Sequence, residues 1–238
     1  MAIDVFERVE LKYVLSLEQF EYMKNELKPY MNVDQYGRTS ISSIYYDTSS
    51  QLLVRRSIEK PLFKEKIRLR SYGLAKEDGP VFLELKRKYD GLVYKRRIVS
   101  DEKTVNGFFD FQNSIGGGQI AREITYFRNL YGNLTPTLAI TYERTALYEI
   151  NGSTRVTFDE NIRYRLDRLN LHETLDGTLL GDGKFVIMEI KCLGSMPLYL
   201  TKILSKGKIY KSSFSKYGNS YLQIRAQRKE LQNYGKLF

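Results

Sequence analysis

The stretch "VFLELKRKYDGLVYKRRIVS", residues 81–100, predicts a β-hairpin around the turn Tyr89-Asp90-Gly91. Side chains along a strand point alternately to its two faces, and here apolar residues alternate with charged ones. One face of the first strand is apolar and comprises Val81, Leu83 and Leu85. The other face is charged and comprises Glu84, Lys86 and Lys88. The stretch therefore predicts a hairpin with one core face and one strongly charged face.

The composition predicts a folded protein with a large positive charge. Hydrophobic residues make up 42% of the 238 residues and charged residues 28%, which excludes a disordered chain. Lys and Arg number 38 against 28 Asp and Glu, a formal net charge of +10. Such an excess indicates a polyanionic partner, which could be nucleic acid, acidic lipid or a phosphate-rich small molecule.

Several classes of protein are disfavoured by what the sequence lacks. The single cysteine, Cys192, cannot form an internal disulfide and is expected to be a small packed residue, which fits a reducing cytoplasm. The N-terminal residues do not resemble a signal peptide, and no apolar run approaches the roughly 20 residues of a membrane span. The single histidine, His172, is expected in a surface loop and gives no basis for a zinc site or a Ser-His-Asp triad. We expect a soluble cytoplasmic protein.

The order of elements predicts an α+β fold in one domain, residues 1–238. About eight strands, mostly linked as antiparallel neighbours, are enough to close a β-barrel, with helices packed outside and a helical C-terminus. Helices are expected to be capped at Ser16, at Ser49 or Ser50, and at Ser100, and one is expected to end at Gly132. The pair Asn151-Gly152 predicts a tight hairpin turn.

The predicted strands repeat the pattern of the opening hairpin. Their charged faces carry Glu10 and Lys12; Arg68 and Arg70; Glu84, Lys86 and Lys88; Lys95 and Arg97; Tyr142 and Arg144; Arg155, Thr157 and Asp159; and Glu189 and Lys191. One interpretation is a solvated face, as on any one-sided antiparallel sheet. The excess of Lys and Arg favours a barrel interior instead. Crowded cations repel strongly unless a polyanion lies among them, and Arg and Lys both bind phosphate oxygens. The glutamates could hold Mg²⁺ or Mn²⁺.

A series of short motifs resembles a known family. In order, they are "RVELKY", "SIYYDT", "KIRLRSYG", "FLELKRK", "YKRR", "YERTAL", "RVTFDENIRYR", "MEIKC" and "FSKYGNS". The set is similar to the catalytic domain of the VTC (vacuolar transporter chaperone) family, within the CYTH-like triphosphate tunnel superfamily. The resemblance covers nearly the whole chain.

The resemblance implies an enzyme: an antiparallel tunnel that takes ATP and transfers its γ-phosphate to a growing inorganic polyphosphate chain, with Mn²⁺ or Mg²⁺. The residues that would act on the transferred phosphate are Arg68, Arg70, Lys86, Arg144, Arg155 and Lys191. Those that would bind phosphate or nucleotide are Lys12, Lys95, Ser215 and Lys216, and the strand pattern adds Arg97. Glu189 would be the principal metal ligand, with Glu10 and Glu84 as further candidates. Ser215 and Lys216 rest on the resemblance alone.

Two departures from related motifs matter. Arg8 stands where the hydrolytic tunnel enzymes have the first Glu of a Glu-x-Glu-x-Lys strand, which disfavours a two-metal triphosphatase. Ser213 stands where the eukaryotic polymerase has a Lys. Regulation and export would need a separate membrane-protein partner, which would bring the protein to the inner face of a membrane.

Two alternatives stay open at this point. One is a metal-dependent hydrolase of tripolyphosphate or nucleoside triphosphates with the same fold. The other is a non-catalytic module that binds polyphosphate, RNA or a membrane partner. RNA binding would use exposed aromatic residues such as Tyr72, Tyr89 and Tyr94, but these are expected to pack at strand ends, so no nucleic-acid partner is predicted.

Overall fold

A computed structural model describes residues 8–90 and 92–234, in which the chain forms nine strands and six helices. The strands are β1 (Arg8–Ser16), β2 (Met31–Asp47), β3 (Phe63–Tyr72), β4 (Val81–Tyr89), β5 (Leu92–Ser100), β6 (Thr135–Glu149), β7 (Arg155–Arg165), β8 (Thr178–Leu179) and β9 (Phe185–Leu193). The helices are α1 (Leu17–Leu27), α2 (Leu52–Glu59), α3 (Glu102–Phe109), α4 (Gly118–Tyr131), α5 (Leu198–Lys206) and α6 (Lys216–Tyr234). The α+β class and the helical C-terminus are confirmed.

The strands are hydrogen-bonded in the order β1-β9-β7-β6-β2-β3-β4-β5, and β8 pairs with β7 outside this path. The pairings whose register is known are antiparallel. Within residues 8–90 and 92–234, the path ends at β1 and β5, which do not pair with each other. The closed eight-stranded barrel is therefore not confirmed. Strand count alone could not decide closure, because closure depends on whether the two end strands meet.

The described residues divide into two compact units, and the division crosses β2, β6 and β7. The first unit comprises residues 8–39, 142–162 and 181–214. The second unit comprises residues 40–90, 92–141, 163–180 and 215–234. The single domain expected for residues 1–238 stays a prediction.

The core of the first unit lies between helices α1 and α5 and the apolar faces of its strands. Phe20, Met23 and Leu27 of α1 are buried, as the helical spacing of its apolar residues predicts. Phe20 meets Phe158 of β7 edge to face, with ring centroids 5.1 Å apart. Cys192 is buried in this core, where burial raises the pKa of its thiol, so the expected packing role is confirmed.

The core of the second unit lies between the odd-numbered face of β3 and β4 and the helices α2, α3 and α4. The strand residues in it include Ile67, Leu69, Val81, Leu83 and Leu85, all of them fully buried. The alternation predicted for the opening hairpin is therefore confirmed, although Gly91 of its turn lies outside the described residues. The even-numbered residues of β3 and β4 lie on the opposite face of the sheet.

The predicted helix ends are partly confirmed. Ser16 caps α1 in a capping box with Gln19, and Gly132 ends α4 with a positive φ of 71°. In the turn after β6, Asn151 has a φ of 59°, which fits the predicted hairpin turn.

Two predicted caps are wrong. Asp101, not Ser100, caps α3: its Oδ1 accepts from the Thr104 backbone at 2.7 Å, while Ser100 is the last residue of β5. Gln51, not Ser49 or Ser50, occupies the N-cap position of α2, and its side chain makes no capping hydrogen bond. The carboxylate of Asp47 instead accepts from the backbone amides of Leu53 and Val54, both at 2.9 Å.

None of the described helices combines the length and the apolar composition needed to cross a bilayer.

Candidate functional site

The buried carboxylate of Glu84 lies at the centre of a group of cations on β3, β4 and β5. The strand register places Arg68, Glu84 and Arg97 side by side across three strands. Arg68 Nη2 lies 2.7 Å from one carboxylate oxygen, and Lys95 Nζ lies 2.7 Å from the other. Arg97 Nε also donates to Glu84, at 2.8 Å, and Arg70 lies 3.7 Å away. We call these five residues the Glu84 cluster.

The Glu84 cluster carries a large excess of positive charge. Glu84 is 1% exposed, and burial acts to raise its pKa, but Arg68, Arg70 and Lys95 outweigh burial and hold the pKa well below the usual range of a glutamate. Glu84 therefore stays ionised and offsets only part of the charge of its four cationic neighbours. Burial lowers the pKa of Lys95 to about 8, even though Glu84 acts to raise it. The arrangement is preorganised to bind a multiply charged anion.

A row of aromatic residues supports the Glu84 cluster from β2 and α6, and sequence reasoning did not assign it a role. Arg68 Nη1 donates to the hydroxyl of Tyr45 at 3.1 Å. The ring of Tyr45 stacks on Tyr217, with centroids 4.3 Å apart. The Tyr217 hydroxyl donates to Asp47, the residue that holds the start of α2. Tyr45 lies in the motif "SIYYDT" and Tyr217 in "FSKYGNS", so the motifs themselves were the available signal.

Ser215 and Lys216 lie at the start of α6, in the same unit as the Glu84 cluster. The Ser215 hydroxyl accepts from the backbone amide of Gly218 at 3.2 Å, as an N-cap residue does. Its position therefore has a structural explanation that is independent of any ligand. Lys86 lies between Lys66 and Lys95 in the strand register of the same unit.

The first unit brings together two carboxylates and two lysines on β1 and β9. The register pairs Glu10 with Lys191 and Lys12 with Glu189. Lys12 Nζ lies 3.6 Å from Glu10 and 3.7 Å from Glu189, and Lys191 Nζ lies 3.8 Å and 2.8 Å from the same two residues. Burial acts to raise the pKa of Glu189, but Lys191 and Lys12 hold it well below the usual range. We call these four residues the β1–β9 cluster.

Strand β7 adds two polar side chains beside the β1–β9 cluster. Arg155 is opposite Lys191 in the register and Thr157 is opposite Glu189. The Arg155 Nε and the Thr157 Oγ1 are buried and have no hydrogen-bond partner among the described residues. Unpaired buried polar atoms cost free energy, and each is therefore a place where a ligand oxygen or a water would be bound favourably.

Arg144 of β6 is fixed by Asp159 of β7. Its Nε and Nη2 donate to the two carboxylate oxygens of Asp159 at 2.6 and 2.8 Å, and Asp159 is 1% exposed. A bidentate pair of this kind fixes the plane of the guanidinium group. Sequence reasoning placed Asp159 on the charged face but did not identify it as the partner of Arg144.

The two clusters differ in their fit to a divalent metal. Glu10 and Glu189 supply two carboxylates in one place, and Mg²⁺ or Mn²⁺ commonly takes one or two carboxylates together with substrate phosphate oxygens. Both oxygens of Glu84 already accept from cations, so its donor set suits a metal poorly. Within the described part of the chain, no three His, Cys, Asp or Glu side chains form a group that could hold a metal by themselves.

Each sequence-predicted site residue has a definite place in one unit. The first unit holds Glu10, Lys12, Arg144, Arg155, Glu189 and Lys191, and the second holds Arg68, Arg70, Glu84, Lys86, Lys95, Arg97, Ser215 and Lys216.

Four other residues singled out in the sequence lie in the second unit. His172 lies against the buried Glu102, its Nδ1 3.1 Å from the carboxylate. Tyr72, Tyr89 and Tyr94 are about half exposed. Tyr72 and Tyr89 end β3 and β4, and the ring of Tyr72 packs edge to face on Phe82, with centroids 5.5 Å apart.

The chain matches one protein family, and its fold is similar to those of solved structures. Residues 7–225 match the model of the VTC domain. No curated protein matches the chain. One solved structure, a protein from Pyrococcus horikoshii OT3, is 17% identical in sequence to this chain. The alignment covers 91% of this chain and 99% of that protein, and the TM-score is 0.51. A second solved structure, a protein from Bacillus halodurans described as a candidate adenylate cyclase, is 12% identical. The alignment covers 87% of this chain and 93% of that protein, and the TM-score is 0.54.

Proposed function

Because the chain belongs to the VTC domain family, we propose that it is a metal-dependent polyphosphate polymerase that transfers the γ-phosphate of ATP to an inorganic polyphosphate chain. The observation that carries this proposal is the Glu84 cluster, in which four cations surround one ionised carboxylate. Such an excess of fixed positive charge is costly for the protein alone and favourable when phosphates are bound. The tunnel that the family resemblance implies would enclose this charged face.

The reaction would be an in-line displacement at phosphorus. A terminal oxygen of the polyphosphate chain forms a bond to the γ-phosphorus of ATP while the bond from that phosphorus to its β,γ-bridging oxygen breaks, and ADP leaves. The protein contributes position and charge and forms no covalent intermediate. A terminal phosphate oxygen is already anionic, so no general base is assigned.

The cations of the second unit would offset the charge of the phosphates. Arg68 and Arg70 present planar guanidinium groups that match phosphate oxygens in pairs, and Lys86, Lys95 and Arg97 extend the same face. Glu84 would act as a positioning residue, since it fixes the two arginines and Lys95 but offers no free oxygen to a metal. Ser215 and Lys216 are retained as phosphate-binding candidates at the start of α6.

The first unit contains the candidate metal ligands and further candidate phosphate-binding residues. Glu10 and Glu189 would hold Mg²⁺ or Mn²⁺, which would offset phosphate charge when bound. The unpaired Arg155 Nε and Thr157 Oγ1 support binding of an oxygen ligand beside them. Lys12, Lys191 and Arg144 would bind phosphate, with Arg144 oriented by Asp159.

Product analysis tests this proposal. Purified protein incubated with ATP and Mn²⁺ should make polymer, and Glu189→Gln should abolish metal-dependent turnover without unfolding the protein. A matched control is Glu143→Gln, which removes a carboxylate of the same unit that pairs with Arg38 outside the β1–β9 cluster. Release of orthophosphate from tripolyphosphate without polymer would support the hydrolase. Binding of single-stranded RNA with a steep salt dependence and no ATP turnover would support the non-catalytic module. Cytoplasmic location and a separate membrane-protein partner stay predictions.

A further inference from the structure

Helix α4 has a second face that the core of the second unit does not use. Its buried residues Ala121, Ile124 and Phe127 recur at a helical spacing and pack into that core. Another set of α4 residues, also three or four positions apart, lines an open groove of about 600 Å³: Gln119, Arg122, Glu123, Tyr126 and Leu130. Tyr126 is 64% exposed and Leu130 is 57% exposed. We call this feature the α4 groove.

The opposite wall of the α4 groove belongs to the end of the β3–β4–β5 sheet. Phe63 lines the groove, and the register places Phe63 opposite Tyr89 and Tyr89 opposite Leu92. This row lies on the same face of the sheet as Ile67 and Leu85, which are fully buried. The three residues of the row are about half exposed, although helices usually cover such a face. In the part of the chain that the structure describes, the apolar face therefore extends beyond the helices that cover it.

The charges in the α4 groove are unevenly matched. The buried Glu65 accepts a hydrogen bond from Arg87 at 2.5 Å, and Glu123 accepts one from Arg96 at 2.9 Å. Both carboxylates of the groove are thus engaged by arginines. Arg122 is exposed and has no carboxylate partner among residues 8–90 and 92–234. The groove therefore combines exposed apolar side chains with a cation that an incoming carboxylate could pair.

These features favour one kind of occupant. A helix lying beside α4 would cover the exposed row of the sheet, and an amphipathic helix in an apolar groove is a common mode of recognition. Acidic residues on that helix would pair with Arg122 and would be attracted by the net charge of +10. A second copy of this chain fits less well, because its own charge is also +10 and opposes self-association.

We propose that the α4 groove is a docking site for an acidic amphipathic helix of another protein. The inference is independent of the proposed function, because the groove lies on the face of the sheet opposite the Glu84 cluster. It adds an interaction surface to the second unit and leaves the charged strand face free.

The test measures binding of a labelled synthetic helix to the full chain by fluorescence anisotropy. The peptide is alanine-rich, end-capped and about 18 residues long, with Leu and Phe on one stripe and Glu beside it. Two matched peptides carry Gln or Lys at every Glu position. One groove variant combines Tyr126→Ala with Leu130→Ala, and a second carries Arg122→Glu.

Each groove variant has a matched control. Tyr36→Ala combined with Leu198→Ala removes an exposed tyrosine and an exposed leucine of the first unit. Arg55→Glu makes the same change of charge as Arg122→Glu at an exposed arginine of the second unit. A general effect of hydrophobicity or net charge would therefore appear in the controls as well.

The unaltered protein should bind the Glu peptide more tightly than the Gln peptide and the Lys peptide more weakly than both. Affinity for the Glu peptide should fall roughly tenfold in each groove variant and stay within about twofold in each control. Arg122→Glu should bind the Lys peptide more tightly than the unaltered protein does, which a loss of folding could not produce. The changed side chains are exposed, so the thermal midpoints should be unchanged.

No binding of the Glu peptide, equal losses in the groove variants and their controls, or unchanged affinity in both groove variants would overturn the proposal. Sedimentation of the protein alone gives a separate check. A dimer that becomes monomeric with Tyr126→Ala and Leu130→Ala would assign the α4 groove to a second copy of this chain and would overturn the acidic partner.

Discussion

Tyr217 joins the C-terminal helix to the charged strand face of the second unit by stacking on Tyr45, with ring centroids 4.3 Å apart. Tyr45 in turn accepts a hydrogen bond from Arg68. The Tyr217 hydroxyl donates to Asp47 at 2.7 Å, and burial, followed by the charge of Asp47, raises the pKa of that hydroxyl. The position of an arginine in the Glu84 cluster therefore depends on a residue 149 positions away in the chain.

Replacement of Tyr217 should weaken both the fold and the anion site. Tyr217→Phe removes a buried hydrogen bond to a carboxylate, which should cost about 1.5–3 kcal/mol. Tyr217→Ala also removes the ring and should cost about 3–5 kcal/mol. Urea unfolding measures both, and affinity for tripolyphosphate should fall for the Ala variant because Tyr45 loses its support. The control Tyr210→Phe changes an exposed tyrosine and should leave both quantities unchanged.

Acid should destabilise the protein through Glu84 and Glu189. Nearby cations hold the pKa of each carboxyl below its unfolded value of about 4.3, so each stabilises the fold above that pH. The contribution is lost as the pH falls from about 4.3 through the depressed folded values. Urea midpoints between pH 6 and pH 3 should therefore drop steeply, and the drop should be smaller in Glu84→Gln. An unchanged pH dependence in that variant would show that Glu84 is not a source of the acid sensitivity.

Alkaline pH should weaken anion binding through Lys95. Burial lowers the pKa of Lys95 to about 8, so the free protein loses this positive charge as the pH rises through that value. The effect of Lys95 on stability has the opposite sign. Its pKa is lower in the folded protein than in the unfolded chain, so its contribution to the free energy of unfolding rises as the pH increases above about 8. Affinity for tripolyphosphate should fall between pH 7 and pH 9 in the unaltered protein. Lys95→Arg, which stays charged, should show a weaker decline, and the ligand's own titration cancels in the comparison.

Substitutions of the neighbouring residues Lys86 and Arg87 should have opposite effects on polymer synthesis and on stability, because the two side chains lie on opposite faces of β4. Arg87 Nε donates to the buried Glu65 at 2.5 Å, and Arg87 also lies 3.5 Å from Glu123 of α4. Arg87→Gln leaves Glu65 without its charged partner and should lower the free energy of unfolding by about 3–5 kcal/mol while leaving polymer synthesis intact in the folded fraction. Lys86→Gln should reduce polymer synthesis with little change in stability. The same pattern in both variants would contradict the assignment of faces.

Local alternation predicted much of this protein from its sequence. The apolar and charged faces of residues 81–100 follow from strand geometry alone, and the Ser16 cap follows from its local sequence. The support of Arg68 by Tyr45 and Tyr217 could not be predicted in this way, because it depends on tertiary contacts between distant parts of the chain. The start of α2 was predicted wrongly for a similar reason. The carboxylate of Asp47, which accepts from the first amides of this helix, lies on the preceding strand and not at the usual capping position.

Sequence reasoning named residues that the structure brings together around Glu84, but it did not predict how they are organised. Charge alternation selected the cations around Glu84, yet the spacing of Glu84 could not show that all its oxygens are engaged by cations rather than available to a metal. Barrel closure was not decided by strand count, since the pairing of end strands is a property of the whole sheet.

Transfer of label from [γ-³²P]ATP to polyphosphate tests the central proposal most directly. With Mn²⁺ present, the purified protein should move label into chains that are longer than the added primer and should release one ADP for each phosphate transferred. Label found only in orthophosphate, or ADP release without growth of the chain, would contradict the proposal that this VTC domain is a polyphosphate polymerase.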